Sequence, residues 1–266
     1  QLAQYRAKMG LDAPLPLQYV HFLAGLAVLD FGQSFMSDTR VSTLLLHNLP
    51  YTIELTVTAV LIGLVLGIPL GVLAATHRNR LPDDAMRIYS LIGYAIPDFY
   101  LGAILLVAFS LWLGWFPING AGTGFWGGLY HVILPAITLA LLKFAFIGRL
   151  TPASLLDVLG RDYVRTARAK GAGERRVIYR HGLRNALLPL STGIGLSILA
   201  TLSGSVAVEL VFNRPGVGQL LIEAIHQRDY PVIQGGVIIF ALFVVLVNLA
   251  MDIVYVFVDP RVRVQA

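Results

Sequence analysis

The sequence predicts an all-α integral membrane protein built as a polytopic helical bundle. Of its 266 residues, 56% are hydrophobic and only 13% are charged, whereas soluble domains carry about 25% charged residues. Five apolar windows are each long enough to cross the roughly 30 Å hydrocarbon core of a bilayer as a helix. A buried core helix of a soluble protein explains one such window but not five. We therefore expect one domain with five transmembrane helices.

The five windows share a length of about 20 residues and a low content of charge. They cover residues 53–75, 89–113, 132–150, 189–211 and 235–258. Glycine and proline inside them do not argue against helices, because spanning helices tolerate both residues and small side chains allow close packing of neighbouring helices.

The basic residues between the windows predict the orientation. The segments 76–88, 151–188 and 259–266 hold thirteen arginine or lysine residues, and the alternate segments 1–52, 114–131 and 212–234 hold five. Because basic loops stay in the cytoplasm, the first set is predicted to be cytoplasmic. The C-terminal tail 259–266 is then inside the cell.

The same orientation makes residues 1–52 an extracytoplasmic segment, with 53–258 as the transmembrane domain. The composition of the segment 1–52 predicts short helices at the outer membrane surface rather than a span. It shows no signal peptide, which would need a compact apolar run behind a basic start. We therefore expect one further spanning helix upstream of residue 1, for six in all.

The loop 151–188 is unusual because it holds eight arginine or lysine residues. Thr151 followed by Pro152 is a usable cap and first-turn pair, and we expect a helix that runs out of the third window into the loop. Gly171 and Gly173 predict a turn between a short helix at 162–170 and a second helix at 174–187. Leu156, Leu159, Tyr163 and Ala167 recur at helical spacing and predict one apolar face among the arginines.

Three roles fit such a basic loop. A solvated loop fixes the topology and does nothing else. An amphipathic basic helix binds anionic lipid headgroups. A docking helix places its apolar side in the cleft of a partner protein while its arginines meet acidic groups.

Three charged residues lie deep inside the predicted spans, away from their ends: Asp98, Lys143 and Asp252. An ionisable group at such depth costs roughly 2.5–3.5 kcal/mol on insertion scales, so it usually faces a cavity or a partner. For Lys143 and Asp252 the alternatives are a structural ion pair or snorkelling to the interface. Asp98 follows Pro97, which removes one helical hydrogen bond, and this position favours a role in lining a pathway.

Other classes of site have no support in the sequence. There are no cysteines, so disulfides and cysteine-based metal sites are excluded. The six histidines show no HxxxH or HExxH spacing, so we predict no metal site. The chain lacks GxxxxGK[ST], so no P-loop holds a nucleotide, and energy for transport must come from another protein.

The loop sequence "DYVRTARAKG" followed by "ERRVIYRHGLRNALLP" resembles the coupling loop of ABC-importer permeases of the dipeptide, oligopeptide and nickel branch. Further stretches resemble the same branch, in order: "DFGQSF", "LPYTIELT", "LGIPLGVLAA", "LGWFP", "HVILPAITLA", "NRPGVGQLLIEAI", "RDYPVIQG" and "DPRVR". The resemblance covers essentially all 266 residues, although the general importer pattern of this loop is not matched strictly.

The resemblance implies the architecture of a type I ABC importer permease in a bacterial inner membrane. It implies three kinds of partner besides bilayer lipid: a second homologous permease, two ATPase subunits, and an extracytoplasmic substrate-binding protein. It implies no nucleic-acid partner. The chain is then a transport subunit and not an enzyme. It binds no cofactor itself, and ATP and Mg are bound by the partner ATPase subunits.

For the loop, the resemblance implies docking on the ATPase. The inserted short helix and its end are expected to comprise Tyr163, Thr166, Ala167, Ala169, Lys170 and Gly171. The charged margin is expected to comprise Arg165, Arg168 and Arg175.

Peptides are the cargo that the resemblance favours, with nickel or glutathione as alternatives. A rival function from a different class is an ion-coupled secondary transporter or channel, with Asp98 and Asp252 as coupling carboxylates. That function predicts transport without a partner ATPase and leaves the basic loop without a role.

Overall fold

The computed structural model describes residues 13–258, which are almost entirely helical. The helices are α1 (Leu15–Ala27), α2 (Val41–Thr76), α3 (Leu81–Ala95), α4 (Asp98–Trp112), α5 (Gly124–Leu159), α6 (Asp162–Ala169), α7 (Glu174–Val211), α8 (Val217–Gln227) and α9 (Tyr230–Val258). Within this part of the chain there is no β-strand, only an isolated bridge between Gln33 and Arg40. The predicted cytoplasmic tail 259–266 lies outside the described residues.

Four helices, α2, α5, α7 and α9, are long and apolar enough to cross a membrane among residues 13–258. They contain the windows 53–75, 132–150, 189–211 and 235–258. Helix α2 begins at Val41, so the last twelve residues of the predicted outer segment 1–52 belong to the same helix as the first window. The rest of that segment contains the short helix α1, as expected.

The expectation of one continuous helix across 89–113 is wrong. The chain bends by 101° between α3 and α4, and the two helices make a fifth span only if the bent pair is counted as one. Pro97 causes the break, because its ring disfavours helical geometry at the preceding residue. Ile96 is accordingly extended, with φ −100° and ψ 122°.

Helices α2 and α5 run parallel and touch along a stripe of glycines. A Cβ atom added at Gly63, Gly67 or Gly71 would lie 2.8, 3.0 or 2.6 Å from the Cβ atom of Lys143, Ile147 or Thr151, respectively. Such distances leave no room for a side chain. The glycines recur every four residues and so lie on one face of α2. They therefore let the two backbones approach closely, as small residues do between membrane helices.

Two apolar clusters define the ends of the bundle. At the end called here the basic end, Val72 and Ala75 of α2 pack on Leu155 of α5. At the opposite end, Val41 and Leu45 of α2 pack on residues of α8 and α9. The most hydrophobic stretch of α9 has no buried residue within the chain, so it faces lipid or another subunit.

Candidate coupling site

The end of α5 and the beginning of α7 form a platform at the basic end. Helix α5 runs without interruption through Thr151 and Pro152 to Leu159. The predicted continuation of a helix out of the third window is therefore confirmed, and Thr151 and Pro152 lie inside this helix rather than at a helix start. The Thr151 hydroxyl donates to the Ile147 carbonyl oxygen at 2.8 Å within the helix. Gly182 of α7 lets α5 come close, because a Cβ there would lie 2.8 Å from Leu155.

Helix α6 lies on this platform and is anchored by Val164, which is fully buried. It packs against the π-helical segment Val177–Leu183 and the end of α5. Gly160 and Arg161 interrupt the helix, so the helical phase of α5 does not continue into α6. For this reason the predicted apolar face is only partly right: Leu156 and Leu159 pack in the cluster of the basic end, whereas Tyr163 is 47% exposed and Val164 takes the buried position.

Gly171 ends the short helix as the sequence predicted. Its φ is +81°, a left-handed conformation that costs glycine little and other residues more. The backbone N–H of Ala172 donates to the Ala167 carbonyl oxygen at 3.1 Å across this turn. The predicted helices 162–170 and 174–187 correspond to α6 and to the first part of α7.

An ion pair between Arg168 and Glu174 spans the turn on its exposed side. The Arg168 guanidinium donates to both carboxylate oxygens of Glu174, at 2.7 and 3.2 Å. This hydrogen bonding raises the pKa of Arg168. Arg168 is thus engaged within the chain, while the nearby Arg165 makes only a looser contact of 3.6 Å with Asp162.

The residues predicted to meet an ATPase fall into two sets. Eight are exposed around one end of the platform: Tyr163, Arg165, Thr166, Arg168, Ala169, Lys170, Gly171 and Arg175. Ala167 is half-buried and lies one turn from Val164, on the side of α6 that faces the platform. The exposed face of α6 is therefore centred on Tyr163, Thr166 and Ala169.

Beside α6 lies an open, basic groove of about 620 Å³ that the sequence analysis did not single out. It is lined by Gly173, Glu174, Arg175, Arg176, Tyr179 and Arg180. Arg176 and Arg180 are one helical turn apart in the sequence, and this spacing predicts that they lie on the same face of a helix.

The charged residues Asp98 and Lys143 line one cavity at the break between α3 and α4, of about 490 Å³. Lys143 is buried. The two side chains interact electrostatically, but no ion pair of 4.0 Å or less joins them in the described part of the chain. Asp252 is exposed on α9 and does not line this cavity. Asp98 and Asp252 therefore do not form a pair of carboxylates.

At the opposite end, a buried polar network joins α2, α7 and the segment before α8. Glu209 and Arg214 are fully buried. Thr52 donates to Glu209 at 2.7 Å, and the backbone N–H of Val217 donates to the Thr52 hydroxyl at 2.9 Å. Burial lowers the pKa of Arg214, while the carboxylates of Glu54 and Glu209 act in the opposite direction. Sequence reasoning missed this network.

Between residues 13 and 258, no group of three or more His, Cys, Asp or Glu side chains is arranged to hold a metal ion. The polar clusters of this region consist instead of opposite charges and hydroxyl groups.

Two solved structures similar to this chain are structures of ABC transporters. A structure of the MetNI methionine ABC transporter in an inward facing conformation matches with a TM-score of 0.67 at 19% identity, covering 81% of this chain and 96% of that one. An amino acid ABC transporter solved with histidines matches with a TM-score of 0.62 at 14% identity, covering 80% and 94%. At these identities the similarity shows the fold, and it confirms the predicted importer-permease architecture.

Curated relatives are more similar in sequence. The oligopeptide transport system permease protein AppB of Bacillus subtilis (strain 168) is 43% identical over 98% of this chain and 84% of its own length. The glutathione transport system permease protein GsiC of Escherichia coli (strain K12) is 41% identical over 97% of this chain and 83% of its own length. Residues 67–264 match the family described as binding-protein-dependent transport system inner membrane component. The chain therefore belongs to this family of inner-membrane permease components.

Proposed function

We propose that this chain is the permease subunit of an ATP-driven importer that carries peptides across the bacterial inner membrane. Its oligopeptide- and glutathione-transporting relatives support a peptide cargo. A free nickel ion is a less suitable cargo, because the residues from 13 to 258 offer no cluster of metal ligands. The chain itself performs no hydrolysis in this function.

One structural observation carries the proposal: α6 presents an exposed face on a rigid platform. Val164 anchors the helix, Gly171 ends it, and the Arg168–Glu174 pair closes the turn. A rigid element of this kind transmits the movement of a partner, because packed interfaces switch between discrete arrangements. The ATPase subunits, which bind ATP and Mg, dock on Tyr163, Thr166 and Ala169.

The remaining partners follow from the same function. A second, homologous permease completes the pathway, and a substrate-binding protein delivers cargo at the opposite end. The basic end faces the cytoplasm, since loops rich in arginine and lysine stay inside. The C-terminal tail is then cytoplasmic, and the residues before α2 are extracytoplasmic.

The test is recovery of the ATPase subunits with affinity-tagged permease from membranes that contain the complete importer. Tyr163→Asp and Ala169→Asp place a charge on the exposed face of α6, and each is expected to lower ATPase recovery at least about tenfold, which corresponds to 1.4 kcal/mol. ATP-dependent peptide uptake is expected to fall with it. Ala167→Glu is less informative, because the half-buried Ala167 also contacts the platform.

The matched control is Tyr230→Asp. Tyr230 is 60% exposed, comparable with Tyr163 at 47%, but it begins α9 at the opposite end of the bundle. This variant is expected to recover ATPase subunits like the wild type. Wild-type recovery with both α6 variants, at normal membrane levels of the permease, contradicts docking on this helix.

A further inference from the structure

The cavity at the α3–α4 break combines apolar walls with a few polar groups. Its apolar lining comes from α5 and α7, including Leu142, Phe146, Leu196 and Ala200. Its polar lining comes from Tyr94, Asp98, Lys143 and Ser197. A volume of about 490 Å³ is within the range of roughly 300–1,000 Å³ found for small-molecule sites, which typically have this mixture of walls.

Two polar residues that line the cavity, Ser197 and Lys143, make no side-chain hydrogen bond to any described residue. The Ser197 hydroxyl is buried and makes no hydrogen bond to any described residue. Lys143 is 8% exposed, and across residues 13–258 its ammonium group forms neither a hydrogen bond nor an ion pair. Buried polar groups are nearly always hydrogen-bonded, because leaving them unpaired costs free energy. These two groups are therefore available to a ligand.

The position of Asp98 is held by its surroundings. It lies in the first turn of α4, where the positive end of the helix dipole stabilises a carboxylate. Gly204 of α7 makes room for it, because a Cβ atom there would overlap the Asp98 carboxylate. Asp98 thus lines the same cavity as Lys143, and no ion pair of 4.0 Å or less joins the two side chains in the described part of the chain.

A ligand that satisfies both charges must itself carry both signs. Asp98 and Lys143 attract each other, but no ion pair of 4.0 Å or less joins them in the described part of the chain, so each can still bind a group of opposite charge. A short peptide carries an α-ammonium group and a carboxylate at its two ends, and its side chains suit the apolar walls. The chemistry of the cavity therefore matches a zwitterion.

We propose that this cavity is a cargo subsite for short zwitterionic peptides. Lys143 and Ser197 bind the terminal carboxylate, and Asp98 binds the α-ammonium group. This subsite rests on the proposed function in peptide import and specifies which ends of the cargo the permease itself recognises.

The test compares uptake of alanylalanine with that of its N-acetylated and C-amidated forms by the complete importer in proteoliposomes. Lys143→Met is expected to lower the ratio of free to C-amidated uptake about tenfold, as hydrogen bonds to charged groups are strong. Asp98→Asn is expected to lower the ratio of free to N-acetylated uptake by a similar factor. Ser197→Ala is expected to change the ratio for the C-amidated form about threefold, since its hydroxyl is neutral.

The variants are chosen to preserve packing. Methionine keeps the aliphatic stem with which Lys143 contacts Gly63 of α2. Ser191→Ala is the matched control, because Ser191 is buried on the same helix but donates to the Leu188 carbonyl oxygen at 2.7 Å and does not line the cavity. If Lys143→Met does not reach the membrane, Asp98→Asn and Ser197→Ala with the matching blocked peptides decide the question.

The binding protein also discriminates between peptide ends, but it is the same in every sample, so its contribution cancels in the ratio of variant to wild type. Unchanged ratios in all the variants that insert overturn the subsite. Recovery of normal uptake in the double variant Asp98→Asn with Lys143→Met also overturns it, since that result indicates a purely structural charge pair. Absence of ATP-dependent uptake by the wild type instead contradicts the proposed function.

Discussion

The buried guanidinium of Arg214 donates a hydrogen bond of 2.5 Å to the carboxylate of Glu54, which lies 160 residues earlier in the chain. The ring of Tyr51 lies 5.8 Å from the same guanidinium. Two other nitrogen atoms of Arg214 have no partner in the described part of the chain. This contact ties the first half of α2 to the loop that follows α7.

We expect Arg214→Met to destabilise the permease by about 3 kcal/mol, because the fully buried carboxylate of Glu209 then loses its nearby cation and an uncompensated buried charge is costly. Thermal unfolding of the purified protein in mild detergent measures the effect. Arg228→Met is the control, since it removes an exposed cation at the same end of the bundle. Equal losses of thermal stability in the two variants would contradict a structural role for the network.

The turn after α6 gives a second prediction. Gly171→Ala is expected to lower ATPase recovery, because a non-glycine residue in the left-handed conformation costs roughly 1–2 kcal/mol and the end of α6 shifts. Gly173→Ala is the matched control: Gly173 has a φ of −61°, and a Cβ at either glycine would meet no heavy atom within 4 Å. If both substitutions affect recovery alike, the conformation of Gly171 is not what positions the docking helix.

A third prediction concerns the contact of α2 with α5. A Cβ at Gly71 would lie 2.6 Å from the Cβ atom of Thr151, so Gly71→Ala forces the two helices apart at an expected cost of about 1–3 kcal/mol. Gly160→Ala is the control, since the nearest atom there is 3.5 Å away. The measurement is the fraction of folded permease after heating. A larger loss for Gly160→Ala would refute the close approach.

Orientation is tested by single cysteines, since the chain has none of its own. Gly173 and Gln227 are exposed and lie at opposite ends of the bundle, so each is replaced by cysteine in turn. We expect the first to react with an impermeant thiol reagent only from the cytoplasmic side, and the second only from outside. Gly216 is unsuitable, because a side chain there would overlap the Glu209 carboxylate. Labelling of both positions from one side would contradict the orientation.

Properties that act locally along the chain were predictable. The windows 53–75, 132–150, 189–211 and 235–258 lie within helices because the hydrophobicity of about 20 consecutive residues is sufficient to specify a spanning helix. Gly171 was predictable as the end of α6 because glycine is favoured in the left-handed conformation whatever surrounds it. The family was recognisable because its short motifs follow one another in order along the whole chain.

Properties that depend on contacts between distant residues were decided by the tertiary structure. No local pattern indicates that Arg214 meets Glu54, that Ser197 and Lys143 line one cavity, or that Val164 rather than Tyr163 is buried. Each depends on how helices far apart in sequence are placed and rotated against one another. The sequence by itself thus determined the helices, the turn and the family, because these follow from local composition. Only the packing of α2, α5 and α7 decided which of the polar and charged side chains are buried together, since burial is a property of the assembled bundle.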